Sequence, residues 1–387
     1  MKKLFTTLRR TRPKQILKRV LFRLNGRVVN LKPHGAPRGN VLLSYITTPF
    51  TLLAEDQFNG HTNYWETRDM ARAFLERGYA VDVIDKTNAA FVPRRKYAYF
   101  IDIESNLARI APLLNPDCIK IFHATGAHWQ FQNAAEAARI TDLEARRGIT
   151  LLPRRMTQPY DVTPADLISS LCGPFPESTY AFLKKPIYHI PLSTTHTYPK
   201  PEKDYDSARK QFIWFGGAGA VHKGLDLVLE AFAAMPEYTL LVCGKFGEQD
   251  FNDAYHKELF ETPNIRAIGY LDPGSDQFKK ITHESLGIVF PSCSEGCASS
   301  VVVTMHAGLI PIVSRESGIE TEDFGIILSE NTIEAIRAAV RALASEPSER
   351  LSNRSIATWS YARANHTRER FAEAYRSFVS MLEEKHI

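Results

Sequence analysis

Short apolar runs alternate with amphipathic stretches along most of the chain. In the first half the runs are residues 41–46 (VLLSYI), 80–85 (AVDVID), 99–103 (YFIDI), 119–124 (IKIFHA), 166–169 (DLIS) and 187–192 (IYHIPL). Between the first two, residues 64–77 (YWETRDMARAFLER) carry apolar side chains at helical spacing and stop at Gly78. Runs that are apolar throughout, alternating with helices, predict parallel strands covered on both faces. Residues 196–209 (HTYPKPEKDYDSAR) interrupt the pattern with polar residues and two prolines, and predict an interdomain linker. The alternation then resumes with residues 212–217, 239–244, 264–271, 286–290, 310–314 and 325–329, and with a helical stretch at 225–235. After Pro347 the chain reads as helical and charged, and residues 366–383 show helical apolar spacing. No repeat of 20–50 residues is present. The prediction is an α/β protein with two Rossmann-like βα domains, 40–195 and 210–360, and a terminal helix within 361–387. The cleft between the two sheets is the default ligand site.

The 387-residue length fits two domains, and 44% hydrophobic with 24% charged residues is ordinary for a globular protein. The five cysteines are scattered, which argues for a reducing compartment rather than a disulfide framework. Cys293 and Cys297 are four apart, but no second pair at ligand spacing supports zinc. The net charge of +5 is uneven: residues 1–39 hold twelve Lys/Arg and no Asp or Glu, leaving 36 Lys/Arg against 43 Asp/Glu elsewhere. Ile16, Leu17, Val20, Leu21 and Leu24 share a helical stripe flanked by basic residues. The segment is too polar to span a membrane and lacks a signal peptide's cleavage site. Docking of residues 1–27 on an anionic membrane surface competes with packing on the protein's own domain or disorder. Nucleic acid is disfavoured, because no aromatics interleave with the basic residues.

Two segments carry candidate chemistry. In residues 286–314 an apolar strand runs into Pro291-Ser292, a Ser-rich turn and one isolated acid, Glu295. Small residues (Gly296, Ala298, Ser299, Ser300) and an apolar helix through Val301 follow, then a second strand. This is a βαβ pattern whose loop lies at the strand's carboxyl end. A carboxylate among hydroxyls and backbone donors suits sugars and phosphates. In residues 212–232 a strand ends at Gly216-Gly217-Ala218-Gly219 and a helix opens near Lys223-Gly224. Glycines allow close approach of a ligand, and the lysine supplies a point charge for phosphate. A dinucleotide fingerprint would need a third glycine where His222 stands, and a Walker A loop would need Ser or Thr where Leu225 follows Lys223-Gly224.

Both segments resemble the group 1 (GT4-like) retaining glycosyltransferases of the GT-B fold. PSCSEG and GLIPIVS match that family's E-x7-E region, and Gly217, Lys223 and Gly224 match its G-R-x4-KG loop. The resemblance covers 210–380 well and 40–195 in outline. It implies a donor site for a nucleotide-diphosphate-sugar formed by Gly216, Gly217, Lys223, Gly244, Tyr270, Ser292, Glu295, Gly296, Ser299, Ser300 and Val301, with Tyr270 near the base. It implies a loop near the phosphate and the acceptor at Gly60, His61 and Asn63, and a strand-end His123 facing the donor sugar; His128 is a lesser candidate. Two positions depart from the family: Ala218 replaces its loop Arg, and Val303 replaces its second Glu.

The catalytic set expected is Glu295, Lys223 and His123. Sugar transfer develops negative charge on the leaving phosphate and positive charge at the anomeric carbon. Lys223 and backbone donors answer the first, and Glu295 the second, with no metal and no cofactor. The acceptor expected is a glycan or a lipid-linked saccharide of a bacterial surface polymer, handled in the cytoplasm at the membrane face. A degenerate GT-B binding or scaffold protein is the alternative that the two departures motivate. A sugar-nucleotide epimerase shares the fold, but no N-terminal acid pair is placed for it.

Overall fold

In the computed structural model, residues 27–51, 55–244 and 248–385 are described. The basic amphipathic stretch proposed for membrane docking lies almost wholly outside them. Among the described residues no helix is long and apolar enough to cross a membrane.

The first half builds a seven-stranded sheet from β1 (Val28–Leu31), β2 (Gly39–Tyr45), β3 (Tyr79–Asp85), β4 (Tyr99–Asp102), β5 (Ile119–Ala124), β6 (Leu167–Ser170) and β7 (Ile187–His189), in the order β1-β3-β2-β4-β5-β6-β7. All pairs are parallel except β1 with β3. Val41, Leu42, Val81, Val83, Phe100 and Ile101 are fully buried, as strands covered on both faces require. The first long helix among the described residues, α1 (Thr62–Glu76), is capped by His61, whose Nδ1 accepts the Asn63 N–H at 3.2 Å. The longest helix of this half, α2 (Trp129–Arg147), ends at Gly148 in the left-handed region, φ 66°.

The second half builds a six-stranded, all-parallel sheet from β8 (Gln211–Gly216), β9 (Thr239–Gly244), β10 (Ile265–Gly269), β11 (Gly287–Phe290), β12 (Ile310–Val313) and β13 (Ile326–Ile327), in the order β10-β9-β8-β11-β12-β13. Around it lie α3 (Leu225–Ala233), α4 (Asp276–Glu284), α5 (Ser299–Met305), α6 (Ile333–Ala344) and α7 (Ser348–Asn365). The last helix, α8 (Arg368–Lys385), crosses back onto the first half. There Tyr375 packs edge-on to Phe74 of α1, and Glu383 pairs with Arg77 at 2.8 Å. The result is the GT-B arrangement of two βα domains facing across a cleft.

Two sequence expectations change. Residues 28–31, placed within the basic N-terminal segment, form an antiparallel edge strand on β3, in which Asn30 stands opposite Asp82 and donates to it at 2.6 Å. Residues 196–209 do carry apolar packing: Tyr198 stacks on Phe278 at 5.5 Å, and Tyr205 is buried at the start of the short helix Tyr205–Ala208.

Candidate active site

Both sheets reverse strand order beside their first long parallel strand, β2 in one and β8 in the other. Ligands of open α/β sheets bind at such switch points, at the carboxyl ends of the strands. Here the two switch points face one another across a polar cavity of about 660 Å³. Tyr45, Ile46, Ile103 and Glu104, at the carboxyl ends of β2 and β4, form part of one wall; Gly217, Lys223, Glu295 and Gly296, after β8 and β11, form the other. Backbone hydrogen bonds join the walls at the cavity's edge. The Ala127 N–H donates to the Glu295 carbonyl at 3.2 Å, and the Gly173 N–H to the Gly296 carbonyl at 3.0 Å.

Lys223 and Glu295, 72 residues apart, form an ion pair with side chains only 10% and 13% exposed. Lys223 is therefore not a solvated residue at a helix start. Burial alone would raise the Glu295 carboxyl, but Lys223, His222 and Arg155 overcome this and hold it at about 2. It is a fixed anion throughout the physiological range. Ser292 lies behind it, its Oγ 3.3 Å from Glu295 Oε1 and within reach of the His222 carbonyl at 3.2 Å.

His222, noted in the sequence only as the residue that spoils a glycine fingerprint, organises this corner. Its Nε2 lies 2.5 Å from the Ser294 carbonyl, and its Nδ1 is 3.6 Å from both Cys293 Sγ and Glu136 Oε2. Burial would lower its pKa, but these partners lift it to about 9. Glu136 comes from α2, so the contact also crosses between the halves.

The first half supplies His61 and Asn63 to the cavity wall, and with them Glu66 of α1. Glu66 is buried, and burial raises its carboxyl to about 7 against the hydrogen bonds it accepts from the Ser193 N–H at 3.1 Å and Ser193 Oγ at 2.7 Å. Burial lowers the pKa of His61, which favours its neutral form. Glu66 was missed because one acid in an amphipathic helix looks like a solvated face. Arg154 and Arg155, in an irregular stretch with no periodicity, also reach the cavity.

Other expected site residues lie elsewhere. His123 is fully buried behind the cavity, its ring 6.0 Å from Tyr45 and 6.3 Å from Tyr375, with Nδ1 2.8 Å from Ser169 Oγ. Burial pushes its pKa down to about 3, and it is not among the residues that line the cavity. His128 packs against Phe182 at 5.0 Å, outside the wall. Gly216 and Gly244 are register partners at the ends of β8 and β9, beneath the wall rather than in it. Tyr270 is 66% exposed and outside the cavity, and Gly60 also lies outside it. Ser299 and Ser300 line the cavity, whereas Val301 is fully buried in the core. Val303 is core as well, so the position of the expected second Glu is apolar packing.

Residues 200–358 match the family model of the group 1 glycosyl transferases. Over 167 residues, 39% of this chain, the sequence is 28% identical to a GDP-mannose:cellobiosyl-diphosphopolyprenol α-mannosyltransferase of Xanthomonas campestris. The match spans 42% of that relative's length. The structure resembles sucrose-phosphate synthase of Thermosynechococcus elongatus with a TM-score of 0.58 at 15% identity, covering 91% of this chain and 100% of the other. It resembles Anabaena HepE, solved with UDP and glucose, with a TM-score of 0.55 at 10% identity, covering 89% and 100%. At such identities the likeness establishes the fold.

Proposed function

We propose that this chain is a glycosyltransferase that moves a sugar, with retention, from a nucleotide-diphosphate-sugar to a saccharide or lipid-linked acceptor in bacterial surface-glycan assembly. The observation that carries the reading is the largely buried Lys223–Glu295 pair set where two sheet switch points meet. The family match over residues 200–358 and the relative that acts on a diphosphopolyprenol-linked sugar support the reaction class and the acceptor class. In this reading the bond from the anomeric carbon to the diphosphate oxygen breaks, and the acceptor oxygen bonds to the same face of that carbon. The acceptor's hydroxyl proton passes to the departing diphosphate. Glu295, anionic at every working pH, holds sugar hydroxyls and lends negative charge near the anomeric centre, and Lys223 offers its remaining donors to the diphosphate. Side-chain cations, not a metal, answer the leaving group. The N-terminal basic segment would hold the enzyme at the cytoplasmic membrane face, beside a lipid-linked acceptor.

A binding or scaffold protein of the same fold is the second reading, favoured by Ala218 and by the apolar site of Val303. A thermal-shift panel of UDP, GDP, ADP, TDP and CMP on the wild type and Lys223→Ala separates them, followed by turnover assays with the matching donor. A ligand at about 100 times its Kd stabilises by about 2.7 kcal/mol. The expected outcome is one nucleotide that stabilises the wild type and not the variant, and transfer that Lys223→Ala and Glu295→Ala each abolish. Near-wild-type transfer by either variant would remove the site assignment. A flat panel would favour the scaffold.

A further inference from the structure

Three of the cations that line the cavity are held in ion pairs. Lys86 meets Glu104 at 2.5 Å, Arg154 is paired with Asp250, and Lys223 is held by Glu295. The pKa of His61 is lowered by burial, so it adds no fixed positive charge. Among the described residues one cavity cation remains: the Arg155 guanidinium forms no hydrogen bond or ion pair there, although its charge reaches Glu295. A diphosphate carries at least two negative charges, and Lys223 already shares its charge with a carboxylate. We propose that Arg155, from the first half, is the residue that grips the diphosphate of the donor against the glycine loop of the second half. This rests on the proposed donor class.

The backbone around Arg155 is fixed by α2 rather than by secondary structure of its own. The buried Glu136 carboxylate accepts the Arg154 N–H at 2.7 Å and the Arg155 N–H at 2.9 Å. Gln132 Nε2 donates to the Arg155 carbonyl at 2.5 Å, and Asn133 Oδ1 accepts the Thr157 N–H at 2.8 Å. Three of the residues 154–157 are thus tied to one helix face, and the Arg155 stem is laid on the loop after β8. A Cβ built on Gly219 would stand 2.6 Å from Arg155 Cγ. The residue next to Gly219, Ala218, is exposed and has no charge of its own. A guanidinium delivered from the opposite wall supplies the planar fork that suits phosphate oxygens, and makes donor binding a bridge between the two halves.

Isothermal titration of the wild type, Arg155→Ala, Arg155→Lys and Arg155→Ala with Ala218→Arg tests this. The ligands are the nucleoside diphosphate selected by the panel, the matching nucleoside, and inorganic pyrophosphate. Arg155→Ala is expected to weaken the diphosphate at least tenfold, leave the nucleoside within twofold, and keep the ligand-free melting temperature, since Arg155 is exposed. Arg155→Lys should recover part of the loss, because a point charge lacks the fork. Ala218→Arg should recover more, because it returns a guanidinium to the same loop. Equal diphosphate affinity in wild type and Arg155→Ala overturns the proposal while leaving the donor reading in place. Pyrophosphate binding that depends on Arg155, with no nucleotide bound, would keep the anion grip and overturn the donor reading. Binding of neither ligand by the wild type overturns both.

Discussion

His222 holds the turn that carries Glu295, and it does so as a cation. Its Nε2 reaches the Ser294 carbonyl, and Glu136, Cys293 and Glu295 are the titratable groups around it. The pKa of about 9 stands above the ordinary histidine value near 6.5. The folded state therefore binds the proton more tightly than the unfolded chain. The stabilisation is fully present below about pH 6.5 and is lost as pH rises through about 9. The shift bounds the effect at about 3 kcal/mol. Melting temperatures of wild type and His222→Gln from pH 6 to 10 should converge as pH rises, with the wild type ahead only at the acid end. The comparison cancels other titrations, such as that of Lys203, whose pKa burial lowers to about 7. A constant gap across that range would show that His222 is neutral in the fold.

At the scale of elements, α2 belongs to the first sheet but fastens to the second. Arg146 reaches Asp226 of α3 at 2.7 Å and Glu230 at 3.1 Å, Arg147 meets Glu258 at 2.6 Å, and Arg147 lies over the Tyr255 ring at 4.4 Å. Asp226 is fully buried, and buried Arg139 stands 4.0 Å away. Removing the carboxylate strands Arg139, and breaking a buried pair of this kind costs about 3–5 kcal/mol. Asp226→Ala should lower unfolding stability by about that amount in urea titrations; a loss under about 1 kcal/mol would mean that water replaces the pair. The strands of both sheets were legible because doubly covered strands are apolar runs, and the PSCSEG turn because a lone Glu before small residues stands out. The corner built by His222, Glu136 and Arg155 was not legible. Glu136 reads as one charge on a solvated face, and its partners lie 18 to 86 positions further along the chain. Edge strand β1 was hidden for a related reason: its ladder partner β3 lies some fifty residues further along the chain, where Asp82 stands opposite Asn30. His123, expected at the site, lies outside the cavity lining, since a strand-end position fixes which strand bears the ring and not which face of the sheet it enters.

For the whole molecule, the geometry of the cavity depends on how closely the halves approach, and at Gly173 they meet backbone on backbone. Gly173 of the first half donates to the Gly296 carbonyl, and a Cβ added to Gly173 would stand 2.1 Å from the Gly318 carbonyl oxygen. Gly173 has φ −69° and ψ 174°, which alanine adopts without strain, so Gly173→Ala tests the approach alone. It is not part of the cavity wall. The added methyl must push the halves apart or shift the loop bearing Gly318 and, through it, Gly296. Displacements of about 1 Å in a reacting geometry cost up to about 100-fold in rate. Gly173→Ala should therefore slow sugar transfer at least tenfold, with each half still folded by circular dichroism. Nucleoside binding should change little, because the second sheet is untouched, whereas diphosphate affinity should fall if Arg155 reaches it from the opposite wall. Small-angle scattering with and without donor would register the wedge as a smaller contraction on binding. Transfer at the wild-type rate would mean that the halves meet by another path during catalysis, and that the Gly173–Gly296 junction does not set the distance between Arg155 and the glycine loop.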